Sequence, residues 1–183
     1  VSDTYGEWIE IANIGNQTVN LHGLILHEEG DESHMINAPN GLFVSPNDFI
    51  VLGINSDYSL NGGIFIDYEY SDFFLSNSWD EVIISHPSGA IIDHVIYDNG
   101  STFPDQSGKS MALDTPENDN SLGQHWYASS QEMPSGDYGT PGASNMCNSA
   151  GNGDVNTDQI LDVLDLVLII QFILGESDFS PIQ

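Results

Sequence analysis

Asp80-Glu-Val-Ile-Ile-Ser-His-Pro-Ser-Gly-Ala-Ile-Ile-Asp-His-Val-Ile-Tyr97 is the stretch that decides the fold. Both halves are crowded with β-branched residues, and Pro87-Ser88-Gly89 parts them. The pattern predicts strands over 81–85 and 90–97 joined by a tight turn, a β-hairpin. Working outward, the same texture recurs between residues 7 and 130, with short alternating runs at 8–12, 19–27, 41–44, 49–53, 63–66, 110–113 and 125–128. Turn signals separate them: Ile14-Gly15-Asn16, Pro39-Asn40-Gly41, Asn61-Gly62-Gly63 and Asn99-Gly100. Many short strands with no helical stretch predict a mainly β fold, a β-sandwich.

The charge balance narrows the function classes. The 183 residues include 28 acidic side chains, one lysine, no arginine and six histidines, for a formal charge of −27. Binding to nucleic acid rests on Lys and Arg displacing counterions from phosphates, and Lys109 alone cannot supply that. Nucleic acids and anionic membranes are expected to be poor partners on this ground. The most apolar stretch, 163–174, is interrupted by Asp165 and Gln171 and is shorter than the ~20 residues of a membrane-spanning helix. The opening Val1-Ser-Asp-Thr-Tyr-Gly6 reads as an interior cut of a longer, processed chain. Cys147 is the only cysteine, so no disulfide forms within the chain. A chain this negative strains its own compact state, and bound divalent cations relieve that strain.

A second chemistry begins after the β region. Residues 130–145 are turn-rich and 147–152 are small and polar, which predicts a strand-free exit and a linker. The expected layout is a sandwich over 1–146, a linker over 147–152 and a calcium loop plus helix over 153–183. Asp154, Asn156, Asp158, Asp162 and Asp165 fall at loop positions one, three, five, nine and twelve of a twelve-residue EF-hand-type loop, with the Ile160 carbonyl at position seven. A hard cation such as Ca2+ takes about six to eight oxygens, and a loop that presents alternate residues inward supplies them. Gln159 stands at position six, where glycine usually makes the left-handed turn; a Cβ there costs about 1 kcal/mol and weakens affinity. The helix expected over 163–174 is apolar almost all round, and Leu164, Val167 and Ile170 are among the residues it offers for docking.

Gly153-Asp-Val-Asn-Thr-Asp158 and Ile160-Leu-Asp-Val-Leu-Asp165 resemble one repeat of a type I dockerin. That resemblance implies calcium binding and a protein partner, a cohesin-like module, docking through positions near the helix start, here Val163 and Leu164. Two repeats normally pack together in that family, and one is present here. Residues 6–145 resemble a bacterial lamin tail domain, an immunoglobulin-like sandwich. The likeness rests on Gly6-Glu-Trp-Ile-Glu-Ile-Ala-Asn13, Val19-Asn-Leu-His-Gly-Leu-Ile-Leu26, Asp80-Glu-Val-Ile-Ile84, Ile91-Ile-Asp-His-Val-Ile-Tyr97, Gly108-Lys-Ser-Met-Ala-Leu-Asp114, Trp126-Tyr-Ala-Ser129 and Tyr138-Gly-Thr-Pro-Gly-Ala-Ser-Asn145. It implies a non-catalytic module outside the cell or at its surface. The family usually opens with a further strand before the Glu-Trp pair, so one edge is expected to be left unpaired and to recruit a strand from another chain.

No nucleophile elbow, zinc-protease motif, phosphate loop or dinucleotide fingerprint occurs, and the chain is expected not to be an enzyme. His27-Glu-Glu-Gly-Asp-Glu-Ser-His34 brackets four carboxylates with two histidines and reads first as a solvated acidic hairpin tip, second as a transition-metal site. Trp8, Trp79 and Trp126, with Tyr58, Tyr68, Tyr70, Phe73 and Phe74, read first as core and edge aromatics and second as a glycan-stacking platform exposed on the 68–74 loop. The functional expectation is an extracellular, calcium-binding structural or interaction module. Its alternatives are a carbohydrate-binding or adhesion module of a secreted multidomain enzyme, and a subunit of an extracellular filament built from copies of this chain.

Overall fold

The computed structural model describes residues 1–145. The chain divides into two units, Val1–Met146 and Cys147–Gln183. The expected linker, calcium loop and helix, with Asp154, Asn156, Asp158, Ile160, Asp162, Asp165, Val163, Leu164, Val167 and Ile170, lie outside the described residues.

The described residues are mainly β. After a one-turn helix α1 (Asp3–Gly6) the strands run β1 (Trp8–Ala12), β2 (Val19–Asn20), β3 (Ile25–His27), β4 (Ser33–Met35), β5 (Phe43–Val44), β6 (Phe49–Gly53), β7 (Tyr68–Glu69), β8 (Trp79–Ser85), β9 (Ile91–Asp98), β10 (Met111–Leu113) and β11 (Trp126–Ala128). They form a three-stranded sheet β1-β6-β7, a four-stranded sheet β4-β3-β8-β9, and the pairs β2-β5 and β10-β11. β1 crosses β6 antiparallel, from Trp8↔Gly53 to Ala12↔Phe49, while β7 joins β6 parallel. β6 has a neighbour on each side and is almost wholly buried, which is why Phe-Ile-Val-Leu-Gly reads as a continuous apolar run.

The two larger sheets share one core. Leu26 of β3 and Ile50 and Leu52 of β6 meet Leu21, Ile36, Val44, Tyr70 and Phe73, with Ile9, Ile11, Val82 and Ile84 packed around them. Each fully buried side chain of this kind stabilises the fold by about 1.5–3 kcal/mol. The arrangement is consistent with the β-sandwich read from the sequence. β8 alternates: Val82 and Ile84 pack, half-buried, against the core cluster, whereas Ile83 is buried outside it. The β8–β9 hairpin closes as its turn residues dictate, with the Gly89 N–H donating to the His86 carbonyl and the His86 N–H to the Ala90 carbonyl, both at 2.8 Å. Gly89 sits at φ 85°, the left-handed conformation that ends a three-residue loop.

Four expectations need correction. The run 19–27 is two strands, because Gly23 takes φ 86° and the Leu24 N–H turns back to the Leu21 carbonyl. Residues 63–66 form no strand: the Asn61 side chain holds both the N–H and the carbonyl of Ile64, and the neighbour of β6 is instead Tyr68–Glu69. Ser33–Met35, inside the acidic segment, is a strand paired with β3. Helical structure is present as α1 and as a 3-10 turn, Gly123–His125, which moves the start of β11 to Trp126. Among the described residues β1, β7, β4 and β9 each end a sheet with one neighbour.

Candidate metal centre

The β3–β4 hairpin ends in an acidic turn that leans on the start of β8. Its register answers the question of the paired histidines. His27 lies opposite Ser33 and His34 opposite Leu26, and neighbouring positions on a strand face opposite sides of the sheet. His34 contacts the core side, with its Nε2 2.8 Å from the Tyr68 hydroxyl, and its Nδ1 accepts the Ser71 N–H at 3.2 Å. His27 spends its ring on the Glu28 carbonyl (2.8 Å) and the Ser85 hydroxyl (3.1 Å). The two histidines do not converge on one metal.

The carboxylates do converge. Ligand oxygens of Glu28, Asp80 and Glu81 all lie within 4.8 Å of one another, and this group could hold a metal ion. Asp80 and Glu81 are 7% and 8% exposed. Backbone N–H groups fix the three: Ser76 donates to Asp80 Oδ2 at 2.7 Å, Glu81 to Asp80 Oδ1 at 2.9 Å, Glu29 to Glu81 Oε2 at 3.4 Å, and Glu32 to Glu28 Oε1 at 3.3 Å. No lysine or arginine balances them, because the single lysine stands over the Tyr138 ring, 5.2 Å from its centroid. An all-oxygen donor set suits a hard cation, calcium or magnesium, rather than a transition metal.

The surroundings are negative and in part dry. Burial first, then the carboxylates of Asp80, Glu7 and Glu81, push the Tyr97 hydroxyl above its ordinary pKa, so it stays a donor, to the Ser76 carbonyl at 2.6 Å. Burial, then Glu7 and Tyr97, does the same to Tyr70, whose hydroxyl is buried with no hydrogen-bond partner among the described residues. Beside the carboxylates is a concavity of about 290 Å³ lined by Glu28, Glu32, Phe74, Trp79, Asp80 and Glu81 among others. Phe74 and Trp79 are 52% and 65% exposed at this concavity, while Tyr70 and Phe73 are core, as the first reading of the aromatics has them, and are not part of an exposed platform.

A different carboxylate is half-buried on β1. Glu10 accepts the Gly142 N–H at 2.6 Å, and burial outweighs that bond, raising its pKa to about 7. The sequence pattern marks Glu28 within the acidic segment and Glu81 as the head of a strand, with Asp80 just before it. The missing signal was register, which sets Glu29 and its turn against Glu81. Compared with known protein families, with curated proteins and with solved structures, the chain matches none.

Proposed function

We propose that this chain is a non-catalytic, extracellular calcium-binding structural and interaction module: an immunoglobulin-like, lamin-tail-type sandwich followed by a single dockerin-like calcium loop and helix. The observation that carries the reading is the spacing of oxygen donors in the sequence, Asp154, Asn156, Asp158, Asp162 and Asp165 with the Ile160 carbonyl between them. The mainly β architecture of residues 1–145, the convergent Glu28, Asp80 and Glu81 and the single lysine support it. Calcium neutralises acidic groups that otherwise repel, and orders the loop so that Val163, Leu164, Val167 and Ile170 are offered to a protein partner, a cohesin-like module or another copy of this chain.

Calorimetric titration of the full chain with Ca2+ tests this. A saturable site that Asp158→Ala or Asp165→Ala removes supports the proposal, and heats that stay at the level of dilution overturn it. A second reading, a carbohydrate-binding module, is favoured by the exposed rings of Phe74 and Trp79 at the acidic concavity, where a sugar face would stack and its hydroxyls would donate to carboxylates. Retention on a glycan array that Trp79→Ala abolishes would select it.

A further inference from the structure

The molecule has an open sheet edge. β9 ends the four-stranded sheet, and among the described residues no strand pairs with its outer side. It is eight residues long, and Ile91, Ile92 and Ile96 are 61%, 57% and 45% exposed. The other candidate edges differ: β1 is half-buried along its whole length and β4 has three residues. Proteins protect long apolar edges with lysine, proline or bulges. β9 contains neither lysine nor proline; Ile92 is the extra residue of a bulge opposite Ile84 and Ser85, and pairing is regular from Asp93 to Asp98. Within that regular part the His94 N–H is held by the side chain of its own neighbour, Asp93 Oδ1 at 2.8 Å, a local bond that an incoming strand can replace.

Charge identifies the occupant. Asp93, which also accepts the Asn120 side-chain amide at 2.8 Å, and Asp98, which accepts from Thr102 and Phe103, keep their negative charge on the strand, and the whole chain carries −27. A second copy would bring a second charge of −27 to the same edge, and like charges across a ladder destabilise it. A basic strand gains on both counts. We infer that the outer edge of β9 is a docking site for an extended, basic and β-branched segment of a partner protein, added as a fifth strand to the β4-β3-β8-β9 sheet. Main-chain hydrogen bonds supply the affinity, lysine or arginine side chains meet Asp93 and Asp98, and β-branched side chains cover Ile92 and Ile96. The inference does not depend on the calcium loop and stands or falls without it.

The test uses the full chain, a blocked peptide of alternating lysine and valine, and its glutamate and valine counterpart, followed by backbone amide NMR with and without Ca2+. Saturable shifts concentrated in 91–98 with the lysine peptide, and binding weaker by about tenfold or more with the glutamate peptide, support the inference. His94→Pro removes a backbone donor and abolishes the shifts. Ile96→Lys leaves the backbone intact and weakens binding by adding a positive charge that repels a basic strand, so a folding failure of the proline variant does not decide the matter. Shifts outside 91–98, equal binding of both peptides, or no binding overturn it. So does concentration-dependent dimerisation that protects β9 amides, which would make a second copy the occupant.

Discussion

Leu26, Leu52 and Phe73 are fully buried, and Asp80 and Glu81 are more than nine-tenths buried, yet the two sets are buried for opposite reasons. The first set leaves water spontaneously, each side chain gaining from its removal. The second is held by the backbone: strand pairing and the Ser76, Glu29 and Glu81 N–H groups keep carboxylates close to one another and to Glu28 without a lysine or arginine to balance them. In a chain with one lysine, burial therefore falls into a part that drives folding and a part that folding must tolerate.

The contrast can be broken at its strong end. Phe73→Ala empties the centre of the core and is expected to cost about 3–5 kcal/mol in urea denaturation, whereas a loss under about 1 kcal/mol would move the core elsewhere. Glu10 comes next in size. Its folded pKa of about 7 lies above the ordinary 4.5, so the folded chain keeps a proton that the unfolded chain releases. Stability is therefore fully present below the ordinary value and falls as pH rises through about 7. With solvent screening the fall is on the order of 1 kcal/mol, and Glu10→Gln should flatten it in denaturation curves recorded across that range.

Tyr70→Phe removes a buried hydroxyl without a partner and keeps the ring, so stability should rise by about 1 kcal/mol; a loss would reveal a bond made by that oxygen. The smallest effect is expected at the acidic tip. In an Asp158→Ala background, Glu81→Gln should raise the metal-free unfolding free energy by about 0.5 kcal/mol and diminish the stabilisation that added Ca2+ confers. Equal calcium responses with and without Glu81 would assign the cation elsewhere.

Much of the fold was readable because it is local. β1 and β6 begin and end where alternation and apolar continuity place them, and the β8–β9 hairpin forms around Pro87-Ser88-Gly89. β4 and β7 were not readable: Ser-His-Met and Tyr-Glu have no period of their own and are strands because β3 and β6 offer them an edge. The same holds for the acidic site. Glu28 was visible as one acid among several, but its nearness to Asp80 and Glu81 depends on which strand β3 pairs with, a tertiary fact. The histidines were a false signal for a related reason, since whether His27 and His34 share a face depends on hairpin register and not on their spacing in the chain.

The scarcity of basic residues has a further consequence at Lys109. Proteases of trypsin-like specificity cut after lysine or arginine, and this sequence offers them a single peptide bond, the one between Lys109 and Ser110. That bond is stitched in place: the Lys109 N–H donates to the Gln106 carbonyl at 3.0 Å and the Ser110 N–H to the Tyr138 carbonyl at 2.9 Å. To be cleaved it must first peel away from its neighbours, so a tryptic digest of the native chain should proceed at the pace of local opening and yield two large fragments.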